Sequence, residues 1–155
     1  MSATPQTTEN VIEILANLQV FLRKPIIKNK LLDFYKLQKD DQIEIINLVL
    51  ESIPNVDVST FQELITSWFE VLSKFDNKKI TYIMQIYLEE IVKRSDLISK
   101  LIPPVNKAIK NMKEDEKEIL RICFLETLFT ITINFRKEII KNLDISSLDL
   151  LKIAK

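Results

Sequence analysis

The run from Glu118 to Phe135, EILRICFLETLFTITINF, constrains this chain more than any other stretch. Read as a helix it is apolar nearly all round, because Ile119, Ile122, Phe129 and Ile133 fall where an amphipathic helix carries its polar groups. Such a helix belongs inside something. The cover expected is protein and not lipid: a membrane span needs about 20 uninterrupted apolar residues, whereas Arg121 and Glu126 break the run near its middle and Asn134 closes it. The β-branched Thr-Ile-Thr-Ile at 130–133 admits a strand as a local alternative to helix.

The rest of the chain supplies candidates to surround it. Residues 1–8 have no apolar period and read as a disordered lead-in; residues 9–155 read as one domain. Val11, Ile14, Leu15, Leu18 and Leu22 give a first helix over 9–23, capped by Thr8. Pro25 then punctuates and suits the first turn of a second, over 26–37. Asp40 caps a third, which runs through Ile53 until Pro54 ends it. The capping-box spacing of Thr60 and Glu63 opens a fourth to about Lys74, and Asp76 caps a fifth to about Lys93. Ser95 starts a sixth, interrupted or kinked at Pro103-Pro104 before it resumes to Met112. The acidic EDEKE at 114–118 then favours the N-terminus of the apolar helix. A helix over 135–143 and a last one capped by Ser146 or Ser147 bring the expected total to about nine. No other stretch has strand alternation with turn chemistry, so the fold class is all-α.

Segments beginning at Leu37, Phe75 and Met112, spaced 38 and 37 residues apart, can be laid over one another. Ile45, Ile83 and Leu120 then align, as do Leu48, Ile86 and Cys123, and Val49, Tyr87 and Phe124. Any two amphipathic helices can be slid into apolar register, but the pair Leu-Glu also recurs, at 50–51, 88–89 and 125–126. With two helices per unit and a period in the high thirties, the chain resembles HEAT-like or armadillo-like helical-hairpin arrays, at the level of architecture. The resemblance implies a short α-solenoid-like array with units near 26–57, 60–94 and 96–133 and a degenerate one over 135–155. An irregular helical bundle is the alternative.

Composition removes many chemistries. The chain has no Gly and no His, and Cys123 is its only cysteine. Glycine-rich phosphate loops need residues without a Cβ, and imidazole triads and most zinc sites need histidine, so no cofactor, metal or catalytic group is expected. Cys123, set among Ile119, Ile122 and Phe124, reads as a buried small hydrophobe. Lysine and arginine balance aspartate and glutamate at 22 each, so any phosphate site must be local. The composition, rich in Ile, Lys and Glu, resembles a thermophile's and equally an AT-rich genome's. Cytoplasmic location is the default for a chain without a signal peptide or a disulfide pair.

Two surfaces stand out. Lys93, Arg94, Lys100, Lys107, Lys110 and Lys113 face only Asp96 within their segment, a candidate phosphate-binding patch for a nucleic acid. The bland reading is a solvated face whose lysines meet Glu114, Asp115 and Glu116. Arg23, Lys24, Lys28 and Lys30 form a weaker cluster. The second surface is Ile119, Ile122, Glu126, Phe129 and Ile133, a partner or capping face that turns apolar where earlier units read Glu44, Asn47, Glu51 and Tyr82, Gln85, Glu89. Glu51, Glu89 and Glu126 stand too far apart for a cation ladder; Glu51 and Glu89 read as a solvent stripe, while Glu126 on its apolar face must find a partner, reach water or take up a proton, and Trp68, Phe69 and Phe61 read as core. The expectation is a non-enzymatic module that docks another protein or its own copy, without membrane or small-molecule substrate. The alternative is a small nucleic-acid-associated subunit using residues 93–113.

Overall fold

The computed structural model describes residues 14–15, 17–130, 133 and 137. Six α-helices follow one another: α1 (Val20–Lys36), α2 (Lys39–Ser52), α3 (Val58–Leu72), α4 (Asn77–Ile91), α5 (Ser95–Lys110) and α6 (Glu114–Thr130). A 3₁₀ turn, Ile53–Asn55, separates α2 from α3. The fold is all-helical among the described residues, and helix extends into the stretch that admitted a strand, with Ile133 helical.

The principal contacts join alternate helices. One row is made by α1 on α3 and α3 on α5, the other by α2 on α4 and α4 on α6. The two rows share a core in which Ile46, Leu72, Ile80, Ile83, Ile109 and Leu120 are wholly buried. The first row starts its helices at Val20, Val58 and Ser95, and the second at Lys39, Asn77 and Glu114; in both, successive starts are 38 and 37 residues apart. That spacing matches the register read from the apolar pattern. Phe34, Leu72 and Ile109 are equivalent under it and all buried, as are the polar Ser52, Glu90 and Thr127.

Several local expectations are corrected. About nine helices were expected; the described residues hold six. The helices placed over 135–143 and after Ser146, the degenerate unit 135–155 and the lead-in 1–8 all lie outside the described residues. The break expected at Pro25 falls instead at Leu18–Gln19, and Pro25 sits inside α1. Helix continues there because Ile27, Leu31 and Phe34, all beyond the proline, are buried in the core. Likewise α5 runs unbroken through Pro103 and Pro104, anchored on both sides by Leu101, Ala108 and Ile109. Gln38 and not Asp40 precedes α2, with Asp40 and Asp41 in its first turn, where the helix dipole favours acid. Pro54 is absorbed into the 3₁₀ turn after Ser52. Asp57, not Thr60, caps α3: its Oδ1 accepts from the Thr60 N–H at 3.0 Å and its Oδ2 from the Thr60 hydroxyl at 2.6 Å. Asp76 caps α4 as read, accepting from the Lys79 N–H at 3.0 Å.

Candidate functional site

The helix that organised the sequence reading, α6, is buried on one side and open on the other. Leu120, Cys123 and Thr127 are wholly buried, and Phe124 nearly so. Thr127 satisfies its hydroxyl by donating to the Cys123 carbonyl at 2.7 Å. On the opposite side Ile122, Phe129 and Ile133 are 39%, 76% and 64% exposed. Ile122 and Phe129, seven residues apart, share one face of α6; Ile133, helical as well, lies beyond its described end. Ile119 is half-buried against the core. Glu126 is exposed, and its Oε2 lies 3.5 Å from the Thr81 hydroxyl of α4, so the carboxylate has both water and a partner.

The earlier units explain what changed. Asn47 and Glu51, equivalent to Ile122 and Glu126, are not a bare solvent stripe. Asn47 Nδ2 donates to Glu90 Oε1 at 3.0 Å, and Arg94 Nη2 lies 2.7 Å from Asn47 Oδ1 and 3.2 Å from Glu51 Oε1. Glu89 is half-buried and accepts from Gln85 at 3.0 Å. A polar bridge between α2 and α4 therefore occupies the place where α6 presents Ile122.

The basic segment does not act as one patch. Lys93 pairs with the buried Glu90 at 2.8 Å, and Arg94 is committed to Asn47 and Glu51. Lys100, Lys107, Lys110 and Lys113 are exposed and take no ion pair among the described residues. Lys100, Lys107 and Lys110 fall on one face of α5 by their spacing. Two of the three acids expected to meet these lysines are engaged elsewhere, Glu114 with Lys117 at 3.2 Å and Glu116 with Lys74 at 3.1 Å, and the exposed Asp115 forms no ion pair with them among the described residues. The Glu116 carboxylate in turn holds the Lys74 ammonium above its ordinary range, first by hydrogen bonding and then by charge. Glu116 is buried, and its Oε1 has no hydrogen-bond partner among the described residues. In the weaker cluster Arg23 is buried, donating to the Leu15 carbonyl at 2.8 Å and pairing with Glu63 at 3.0 Å, while Lys24 pairs with Glu70 at 3.4 Å.

Cys123 is buried, and burial raises its thiol above the ordinary range. Among the described residues no group of three or more acidic or thiol side chains is placed to hold a metal, and no helix is long and apolar enough to cross a membrane.

One feature escaped the sequence reading. Between the rows lies a cavity of about 250 Å³, walled by the end of α2 and by α3, α4 and α5, with Phe124 of α6. Phe69 is core as expected, but Trp68 and Phe61 are half-buried and line this space with Tyr87 and Leu88. The Trp68 ring centroid is 5.5 Å from that of Phe69 and 5.2 Å from that of Tyr87. Apolar spacing marks core and cavity wall alike, so only the packing separates them. No protein-family model, curated protein or solved structure matches this chain.

Proposed function

We propose that this chain is a non-enzymatic interaction module, a short array of helical hairpins of the HEAT-like or armadillo-like kind, which docks an amphipathic helix of a partner protein on the outer face of α6. The observation that carries the reading is the exposure of Ile122 and Phe129 on one face of α6, with Ile133 exposed just beyond its described end. Exposed apolar side chains that share a face mark interaction surfaces, and helical arrays offer them without any cofactor. Glu126 gives that face one charge with which to orient a partner. Elsewhere polar bridges such as Arg23–Glu63, Lys74–Glu116 and Tyr82–Gln42 join separate elements, which suits a rigid support. The cytoplasm is the compartment we assign, on the single cysteine and the lack of a disulfide pair.

A second reading, a nucleic-acid-associated subunit, is favoured by Lys100, Lys107 and Lys110 on one face of α5 without ion pairs among the described residues. One experiment separates the two. The tagged protein is purified from its host with and without nuclease, beside Ile122→Lys/Phe129→Lys and Lys100→Glu/Lys107→Glu variants. For the first reading, one protein partner survives nuclease, is lost with the α6 variant, and binds the purified chain directly. Partners that vanish with nuclease and with the lysine variant support the second. Sedimentation of the purified chain shows whether the occupant of the α6 face is a second copy. An α6 variant that keeps every partner overturns the docking face.

A further inference from the structure

Between the helix rows the structure leaves a cavity far larger than a water molecule and open to solvent on one side, where a close-packed core would leave none. Its wall is almost wholly apolar, and among the described residues no Lys, Arg, Asp or Glu lines it. Ser52, the one aliphatic hydroxyl there, already donates to the Val49 carbonyl at 2.7 Å. Tyr87 differs: its ring packs on Phe34 and Trp68, but its hydroxyl makes no hydrogen bond with any described residue. The residue is half-buried, so the hydroxyl keeps some access and is available to a molecule that enters the cavity. Burial raises the Tyr87 phenol well above its usual range, so it stays a neutral donor and acceptor.

We infer that this cavity is a binding site for a small, uncharged, apolar molecule that carries one hydrogen-bonding group and pairs it with the Tyr87 hydroxyl. Size sets the class. An apolar cavity of about 150 Å³ takes benzene, and scaling by volume to about 250 Å³ gives about ten non-hydrogen atoms. That is the size of a medium-chain alcohol or a small substituted aromatic. An ionised carboxylate or an ammonium is selected against, since a charge placed there meets no counter-ion. The inference is independent of docking on α6.

Trp68, the only tryptophan, lines the cavity and reports on it directly. The test titrates the full chain with 8-bromo-1-octanol, whose bromine quenches tryptophan emission, and with 1-bromooctane and 8-bromooctanoate. Saturable quenching by the alcohol is expected, with octanoate about tenfold weaker, because its carboxylate must either lose water beside apolar walls or stay at the open mouth and forgo the Tyr87 hydroxyl. Tyr87→Phe should weaken the alcohol by about 3- to 10-fold, the worth of one hydrogen bond, and leave bromooctane unchanged. Val105→Phe, which narrows the cavity, should abolish saturation; circular dichroism and urea unfolding confirm that each variant is folded. Quenching that rises linearly in wild type, as for free tryptophan, overturns the site whatever the variants do. Equal affinity of alcohol and octanoate, or of wild type and Tyr87→Phe for the alcohol, overturns the assignment of ligand class.

Discussion

Arg94, in the turn after α4, reaches Asn47 on α2, its Nη2 2.7 Å and its Nε 3.2 Å from Asn47 Oδ1. The same asparagine donates from Nδ2 to Glu90 Oε1 at 3.0 Å, so one amide links a cation and a buried carboxylate across two helices. Replacing Asn47 with Ala removes both links and leaves Glu90 with Lys93 alone. The expected loss is about 1–3 kcal/mol, the cost of breaking bonds to a buried polar group. Urea unfolding measures it. Arg94→Ala and Asn47→Ala should be non-additive by about 0.5–3 kcal/mol, since they share a network; strict additivity would mean the bridge contributes nothing.

Asp57 gives a pH signature. Hydrogen bonds from the Thr60 hydroxyl, the Thr60 N–H and the Ser59 hydroxyl lower its carboxyl from 3.8 to about 2. A folded-state value below the unfolded one stabilises the fold above the unfolded pKa, and that stabilisation is lost as pH falls through the folded one. Asp57→Ala should therefore have a lower urea midpoint than wild type at neutral pH, and the gap should close between about pH 4 and pH 2. A gap that stays constant through that range would show that the cap does not act through the ionised carboxylate.

The register of the helices was legible because it rests on where apolar side chains fall, and burial is what the fold imposes on them. Phe34, Leu72 and Ile109 recur at the unit spacing and are all buried. Helix ends were less legible. Pro25 and Pro103 obey local rules against continuation, yet burial of residues on either side of Pro103 and just beyond Pro25 holds the helix together. Charge partners were not legible at all: Arg23 meets Glu63 from 40 residues away and Lys74 meets Glu116, distances in sequence that only the packing of alternate helices brings together. Thus a basic segment that looked continuous is divided: Arg94 ties two helices and Lys93 pairs locally with Glu90.

Cys123 tests the burial of α6. It is fully enclosed and its thiol is raised above its ordinary range, first by burial. Both effects suppress the thiolate that reacts with a disulfide reagent. The native protein should be modified at least about a thousandfold more slowly than the unfolded chain, because reaction must wait for opening of a core helix. The rate should rise with urea in parallel with unfolding. Rapid modification in buffer would show that α6 leaves the core readily.

Pro25 is the sixth residue of α1, where it has no N–H to donate to the Phe21 carbonyl and its ring crowds that carbonyl. It is exposed, so no packing recommends it. Proline in a helix interior costs about 3 kcal/mol relative to alanine, partly offset because it also restricts the unfolded chain by about 0.4–1 kcal/mol. Pro25→Ala should then stabilise the protein by about 1–3 kcal/mol. Pro104 is buried and would not give so clean a gain, since its ring contributes to packing against the core that alanine would vacate. A rise in urea midpoint for Pro25→Ala that exceeds any change in Pro104→Ala is the expected result. A fall for Pro25→Ala would mean that the proline sets a bend which the α1–α3 contact requires.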